Sequence, residues 1–210
     1  MSKKIIFSAG GTGGHIFPAI NLMKHFFDKR YKVLLVTDIR GNNFIKNYSE
    51  FKSYVLRAGT PTNKNFIKKL LSFLVIFYSI IRSVIILKKE KPNLVFGFGG
   101  YVSFPISFAS KFFNLPLIIY ENNMVLGRAN KYLSSFSKKI FIAKKIEKNF
   151  PEKYKSKTYE VGSILNKHII NYSPLKKNNN ERNFSILVLG GSQGAELFGN
   201  IVPAVIKMIK

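Results

Sequence analysis

Cysteine is absent from the 210 residues, and acidic side chains are scarce, 10 against 34 Lys and Arg. Without cysteine there is no disulfide, no thiolate metal site and no Cys nucleophile, a composition that suits a reducing compartment. Neither of two glycine-rich loops ends in Gly-Lys-[Ser/Thr], which excludes a Walker phosphate loop. The start, Met1-Ser2-Lys3-Lys4, lacks the long apolar stretch and small-residue cleavage site of an export signal, so none is expected. Hairpin turn signals are also few, which argues against an antiparallel sheet.

The shortage of acids leaves a net charge of +24. No nucleic-acid partner is expected, because only six of the basic residues are Arg and no recognition motif accompanies them. Two readings remain open. One is attraction to an anionic membrane surface, worth about 1 kcal/mol per well-placed Lys or Arg. The other is a plain bias toward Lys and Asn. Charge alone does not choose between them.

What is present is an alternation of short apolar runs and helical patterns. Strands are expected at Ile5–Ser8, Val33–Thr37, Tyr54–Leu56, Leu94–Phe96, Leu117–Tyr120 and Lys139–Ile142. Helices are expected near Phe17–Phe27, Asn65–Lys89 (stopped by Pro92), Ser103–Phe113 and Gly127–Phe136. Such alternation is the signature of a parallel, doubly wound α/β sheet. Residues 1–162 read as one domain and 163–183 as a polar linker, with three consecutive Asn. Residues 184–210 read as the first βα unit of a second domain, cut short, since a lone βα unit cannot bury its own apolar faces.

The chain repeats one local grammar. Ile5–Ala9 leads into Gly10-Gly11-Thr12-Gly13-Gly14, and Ile186–Leu189 leads into Gly190-Gly191-Ser192-Gln193-Gly194. Glycines permit close backbone approach there, and the N–H groups at a helix start attract phosphate. A tight turn without a ligand explains a single loop equally well. The nicotinamide fingerprint fits poorly, because Ile16 stands where its third glycine belongs, although Asp38 after the second strand keeps that reading open.

Four words sharpen the picture: GGTGGH at Gly10–His15, GFGGY at Gly97–Tyr101, YENN at Tyr120–Asn123 followed by Gly127-Arg128-Ala129-Asn130-Lys131, and GGSQGA at Gly190–Ala195. In this order they resemble the bacterial peptidoglycan N-acetylglucosaminyltransferase family across essentially the whole chain. The resemblance implies a GT-B architecture of two Rossmann-like domains, the second incomplete here. It implies an inverting, metal-independent enzyme without a cofactor, moving GlcNAc from UDP-GlcNAc to the MurNAc 4-hydroxyl of an undecaprenyl-pyrophosphoryl acceptor lipid. It also implies peripheral attachment to the cytoplasmic face of the inner membrane. By the same resemblance Thr12, Gly13, Gly14, Asn123, Asn166 and Ser192 contact UDP-GlcNAc, and Gly10, Gly11, Gly99, Gly100 and Tyr101 seat the acceptor diphosphate. Glu121 keeps the family's acid and is a second catalytic candidate.

Two departures stand out. The family has His-Glu-Gln-Asn where this chain has Tyr120-Glu121-Asn122-Asn123, and Gly-Asn-Pro-Val-Arg where it has Gly162–Asn166. Asn166, or the adjacent Lys167, stands in for the donor-contacting Arg, and a neutral amide cannot neutralise pyrophosphate. His15 is the sharpest catalytic candidate, at a loop-to-helix junction whose positive end favours the neutral, proton-accepting imidazole. A loop-capping His is the plainer alternative. His25 and His168 have no comparable setting.

The helix expected at Asn65–Lys89 is ambiguous. Its uncharged stretch, Leu70–Ile81, falls short of the ~20 residues that cross a bilayer. Lys68, Lys69, Ser72, Ser79, Arg82, Ser83 and Lys89 share one side, interrupted by Val75, Ile76 and Ile86. Either this is a core helix with a ragged outer edge, or those three apolar residues are wedges that enter a membrane surface.

Overall fold

The computed structural model describes residues 3–46, 48–59, 65–146, 150–172, 186–190 and 195–209. Its centre is a parallel sheet of seven strands in the order β3-β2-β1-β4-β5-β6-β7. The strands are β1 (Lys4–Ser8), β2 (Lys32–Thr37), β3 (Lys52–Val55), β4 (Leu94–Gly97), β5 (Leu117–Glu121), β6 (Lys139–Ile142) and β7 (Thr158–Glu160). Alternation along each strand sends side chains to two faces, and both are covered. Ile6, Leu34, Val95, Ile119 and Ile140 lie in one core, with Ile86, Ile106 and Leu133 from the helices above them. Ile5, Phe7, Leu35, Phe96 and Tyr120 lie in the other, against Ile16, Ile20 and Met23. This is the Rossmann-like arrangement that the alternation predicts.

Helices α1 (Gly13–Asp28), α2 (Ile39–Ile45), α3 (Phe66–Glu90), α4 (Ser103–Ala109), α5 (Arg128–Leu133), α6 (Lys167–Ile170) and α7 (Ala195–Ile209) connect or follow the strands. Helix α2 and strand β7 were not expected from the sequence. Helix α2 starts because Asp38 caps it, accepting from Gly41 N at 2.8 Å. Strand β7 is only three residues long and edges the sheet beside β6. Asp38 gives its other oxygen to Arg40, at 2.8 and 3.1 Å. Asp38 is buried, and both of its oxygens serve contacts within the fold.

Helix α3 is inside out. Asn65 caps its start, and Lys91 in the left-handed region followed by Pro92 ends it. The buried positions are Ser79, Ser83, Ile86, Leu87 and Glu90. Ser79 donates to Arg57 O at 2.9 Å and Ser83 to Ser79 O at 2.6 Å, so the serines face inward and are satisfied. Ile86 is core, and Val75 and Ile76 are half-buried, so the three expected wedges belong to the inner face. The exposed side carries Leu70, Phe73, Leu74, Phe77, Ile81 and Ile85. Only 22% of its most apolar 18-residue window is buried, and the mean hydropathy of that window is 2.4. Among the described residues, α3 is the one helix long and apolar enough to cross a bilayer, a length the charge-free run had understated. Its last turns are nevertheless fastened to the sheet, because Glu90 is bound by Lys4, Lys52 and Tyr54.

The chain divides into two units, residues 1–167 and 168–210. In the second, the strand of the expected βα unit lies partly outside the described residues, and its described part, 186–190, is not assigned as strand. A parallel strand exists only by pairing with a neighbour, and no described strand pairs with this segment. Helix α7 forms as expected, with Leu197, Ile201, Val205 and Met208 exposed.

Candidate functional site

The strand order reverses between β1 and β4, and the loops after those two strands meet at their carboxyl ends, where open α/β sheets bind ligands. The loop after β1 is clasped to the loop after β4: Gly10 N donates to Gly99 O at 3.1 Å and Phe98 N to Ser8 O at 2.7 Å. Gly99 and Gly100 both have positive φ, +85° and +78°, which a side chain rarely tolerates. A Cβ on Gly99 would stand 3.2 Å from the His15 ring, and one on Gly100 2.8 Å from the Gly10 backbone. The glycines let a histidine ring and two backbones lie in contact.

A cavity of about 280 Å³ opens beside this junction, lined on one side by His15, Gly99, Gly100 and Tyr101 and on the other by Glu121, Asn123 and the start of α5. His15 stands in the first turn of α1. Its Nδ1 is buried without a hydrogen-bond partner, leaving Nε2 as the ring nitrogen for a ligand. Burial pushes its pKa below 6.5, opposed by the Glu121 charge and by the nearby Phe98 carbonyl, which makes no hydrogen bond of acceptable geometry. Burial thus favours the neutral imidazole expected from the sequence.

Glu121 is 1% exposed and saturated. One oxygen accepts from Asn123 N and Asn123 Nδ2, at 3.1 and 2.9 Å. The other accepts from Gly127 N and Asn130 Nδ2, at 2.9 and 3.0 Å. The second catalytic candidate of the sequence is thus a carboxylate that accepts from four donors and frames the loop from 122 to 127. Asn123, whose Nδ2 donates to Glu121, also lines the cavity.

The remaining expected residues divide. Gly13 and Gly14 begin α1, and nothing lies within 4 Å of where a Gly14 Cβ would be. Thr12 is the N-cap residue without a side-chain cap bond. Gly10 and Gly11 are buried and line no cavity: Gly10 packs on Gly100, and Gly11 on the Asp38 carboxylate. The structure thus requires close packing of those two. Asn166 lies outside the cavity, and Lys167 pairs with Asp28 at 2.9 Å. Ser192 falls outside the described residues. Sequence reasoning assigned no role to Arg128 or Asn130, which also line the cavity. Arg128 had a legible signal: a cation at the first position of a helix is disfavoured by the helix dipole, and it is exposed here with no ion pair among the described residues.

The Glycosyltransferase family 28 N-terminal domain matches residues 5–142. The chain is 37% identical over 207 residues to the Rickettsia canadensis UDP-N-acetylglucosamine--N-acetylmuramyl-(pentapeptide) pyrophosphoryl-undecaprenol N-acetylglucosamine transferase, covering 99% of this chain and 57% of that protein. It is 35% identical to the Pelagibacter ubique protein of the same name, covering 100% of this chain and 58% of that one. The crystal structure of Acinetobacter baumannii MurG superposes with a TM-score of 0.76 at 26% identity, over 98% of this chain and 57% of that one. A kitacinnamycin glycosyltransferase, with a TM-score of 0.61 and 9% identity, shares the fold alone. The chain therefore spans a little over half the length of the relatives it matches.

Proposed function

The chain belongs to the glycosyltransferase family 28 N-terminal domain family, and from that premise we propose that it forms the acceptor-binding half of a transferase moving GlcNAc from UDP-GlcNAc to an undecaprenyl-pyrophosphoryl-MurNAc-pentapeptide. The observation that carries this reading is the cavity at the β1–β4 reversal, where His15, the Gly99–Tyr101 turn and Arg128 share one wall system. The amides of that turn and the Arg128 guanidinium suit a pyrophosphate. His15 suits the hydroxyl of the acceptor sugar. As that oxygen bonds to C1 of GlcNAc from the face opposite UDP, the C1–O bond to UDP breaks and its electron pair leaves with the phosphate. The hydroxyl proton passes to His15 Nε2. Inversion at C1 follows from the single displacement. Glu121 acts through Asn123 and Gly127, as a positioning residue. The uncovered apolar side of α3, with Lys88 on it and Arg82 and Lys89 beside it, suits a lipid surface that presents such an acceptor.

Calorimetry on the 210-residue chain tests the assignment, with a water-soluble short-prenyl pyrophosphoryl-MurNAc-pentapeptide as probe. Saturable binding of that probe, no binding of NAD and no sugar transfer by this chain alone are expected. Failure to bind the acceptor analogue contradicts the reading. With a full donor domain joined to the chain, His15→Ala lowers turnover roughly 10²–10⁴-fold, the usual share of a general base, and changes donor affinity far less.

A further inference from the structure

We infer that the Tyr120 hydroxyl is a positioning group that ties the segment leaving the first unit to the loops lining the cavity. Tyr120 is the penultimate residue of β5, and its ring is wholly buried in the core beside Phe98. Its hydroxyl lies 3.1 Å from Asn122 Oδ1 and 3.2 Å from Gly162 O, and accepts from Ile164 N at 3.3 Å. Asn122 in turn donates from Nδ2 to Gly14 O, at 3.4 Å, in the first turn of α1. One oxygen thus joins the glycine-loop helix, the loop framed by Glu121, and the exit segment.

The chemistry of the node is that of one proton and two acceptors. Burial pushes the phenol above its ordinary value of 10, so the hydroxyl stays protonated at neutral pH. It can donate to Asn122 Oδ1 or to Gly162 O, and not to both at full strength. At the start of the exit segment Val161 N donates to Ile142 O at 2.9 Å. Gly162 has φ +79°, nothing within 4 Å would meet a Cβ there, and residues 161–166 belong to no helix or strand. The side chain of Ile164 is the segment's apolar anchor in the core. The resembled family carries His where this chain has Tyr120, and imidazole nitrogens end nearer the main chain than a phenol oxygen does. The link is therefore built with the residue in which this sequence departs. It rests on these bonds alone and holds whichever ligand the cavity takes.

Amide hydrogen exchange measured by NMR on the 210-residue chain tests it. In the unmodified chain the Ile164 amide is expected to be protected although it lies outside regular structure. Tyr120→Phe, which removes only the oxygen, should speed Ile164 exchange about tenfold, the equivalent of one ordinary hydrogen bond. The amides of Ile6 and Leu35 in the central strands should not change. Asn122→Ala frees the proton for Gly162 O, so Ile164 protection should hold or rise. An unprotected Ile164 in the unmodified chain overturns the inference. So does unchanged Ile164 exchange in Tyr120→Phe, or acceleration there that the central strands share equally, which is the mark of a packing role. Should Tyr120→Phe not fold, the unmodified chain and Asn122→Ala decide, and lost Ile164 protection in the latter counts against it.

Discussion

Two buried carboxylates hold opposite ends of the sheet, and they do so with opposite kinds of partner. Glu90, at the end of α3 and 6% exposed, meets Lys4 at 3.0 Å, Lys52 at 2.6 Å and the Tyr54 hydroxyl. Glu121, at the carboxyl end of β5 and 1% exposed, meets only neutral N–H groups, four of them. The first arrangement fastens a helix to the amino ends of β1 and β3 and neutralises its own charge. The second spends its charge on shaping a loop and pairs with no cation. Arg128 beside it is left exposed, available to an anionic ligand. Burial of an acid therefore says little about its role until its donors are identified.

The largest expected effect breaks the second arrangement. Glu121→Ala leaves four N–H groups without their acceptor, and a loss of about 3 kcal/mol in urea unfolding is expected, together with loss of acceptor-analogue binding. Intact binding in a folded Glu121→Ala chain would show that the loop frames nothing of use.

Glu90 should be somewhat less costly, because its lysines are partly exposed and can return to water. Burial alone would raise its pKa, but the hydrogen bonds from Lys52, Tyr54 and Lys4 outweigh that and hold it at about 2. A carboxyl depressed from 4.5 to about 2 contributes stability that is complete above 4.5 and fades as pH falls toward 2. Glu90→Gln should cost about 2 kcal/mol at pH 7 and flatten the acid limb of the stability curve. An unaltered acid limb would remove Glu90 from the account.

The smallest effect on stability is expected where α3 turns outward from the Glu90 anchor. Phe73→Ser, Phe77→Ser and Ile81→Ser together should reduce binding to anionic vesicles and leave unfolding within about 0.5 kcal/mol, since all three side chains are exposed. Ile86→Ser on the inner face should do the reverse, destabilising by about 3 kcal/mol with membrane binding per folded molecule retained. Equal loss of vesicle binding in both variants would contradict the assignment of faces.

These contrasts also mark how far the sequence was legible. Six of the seven strands were read to within two residues at each end, because alternating burial on two covered faces leaves continuous apolar runs. The cavity was half read. His15, Gly99, Gly100, Tyr101, Glu121 and Asn123 stood in recognisable words, and the structure gathers them. Gly10 and Gly11 stood in the same words, and the structure packs them on Gly100 and on the Asp38 carboxylate, a placement that depends on what lies opposite. Helix α3 was misread because its serines look solvent-facing, yet each buried serine satisfies its hydroxyl on a carbonyl nearby. Such local satisfaction leaves no trace in hydrophobic periodicity.

The central claim is that the histidine in this crevice is a neutral base waiting for an acceptor. An NMR titration of the His15 ring tests it most directly, with the signal assigned through His15→Gln and followed with and without the pyrophosphoryl acceptor analogue. The account predicts a midpoint below 6.5 in the free chain, which the analogue then displaces. A His15 midpoint at or above 6.5 that the analogue leaves unmoved would contradict it.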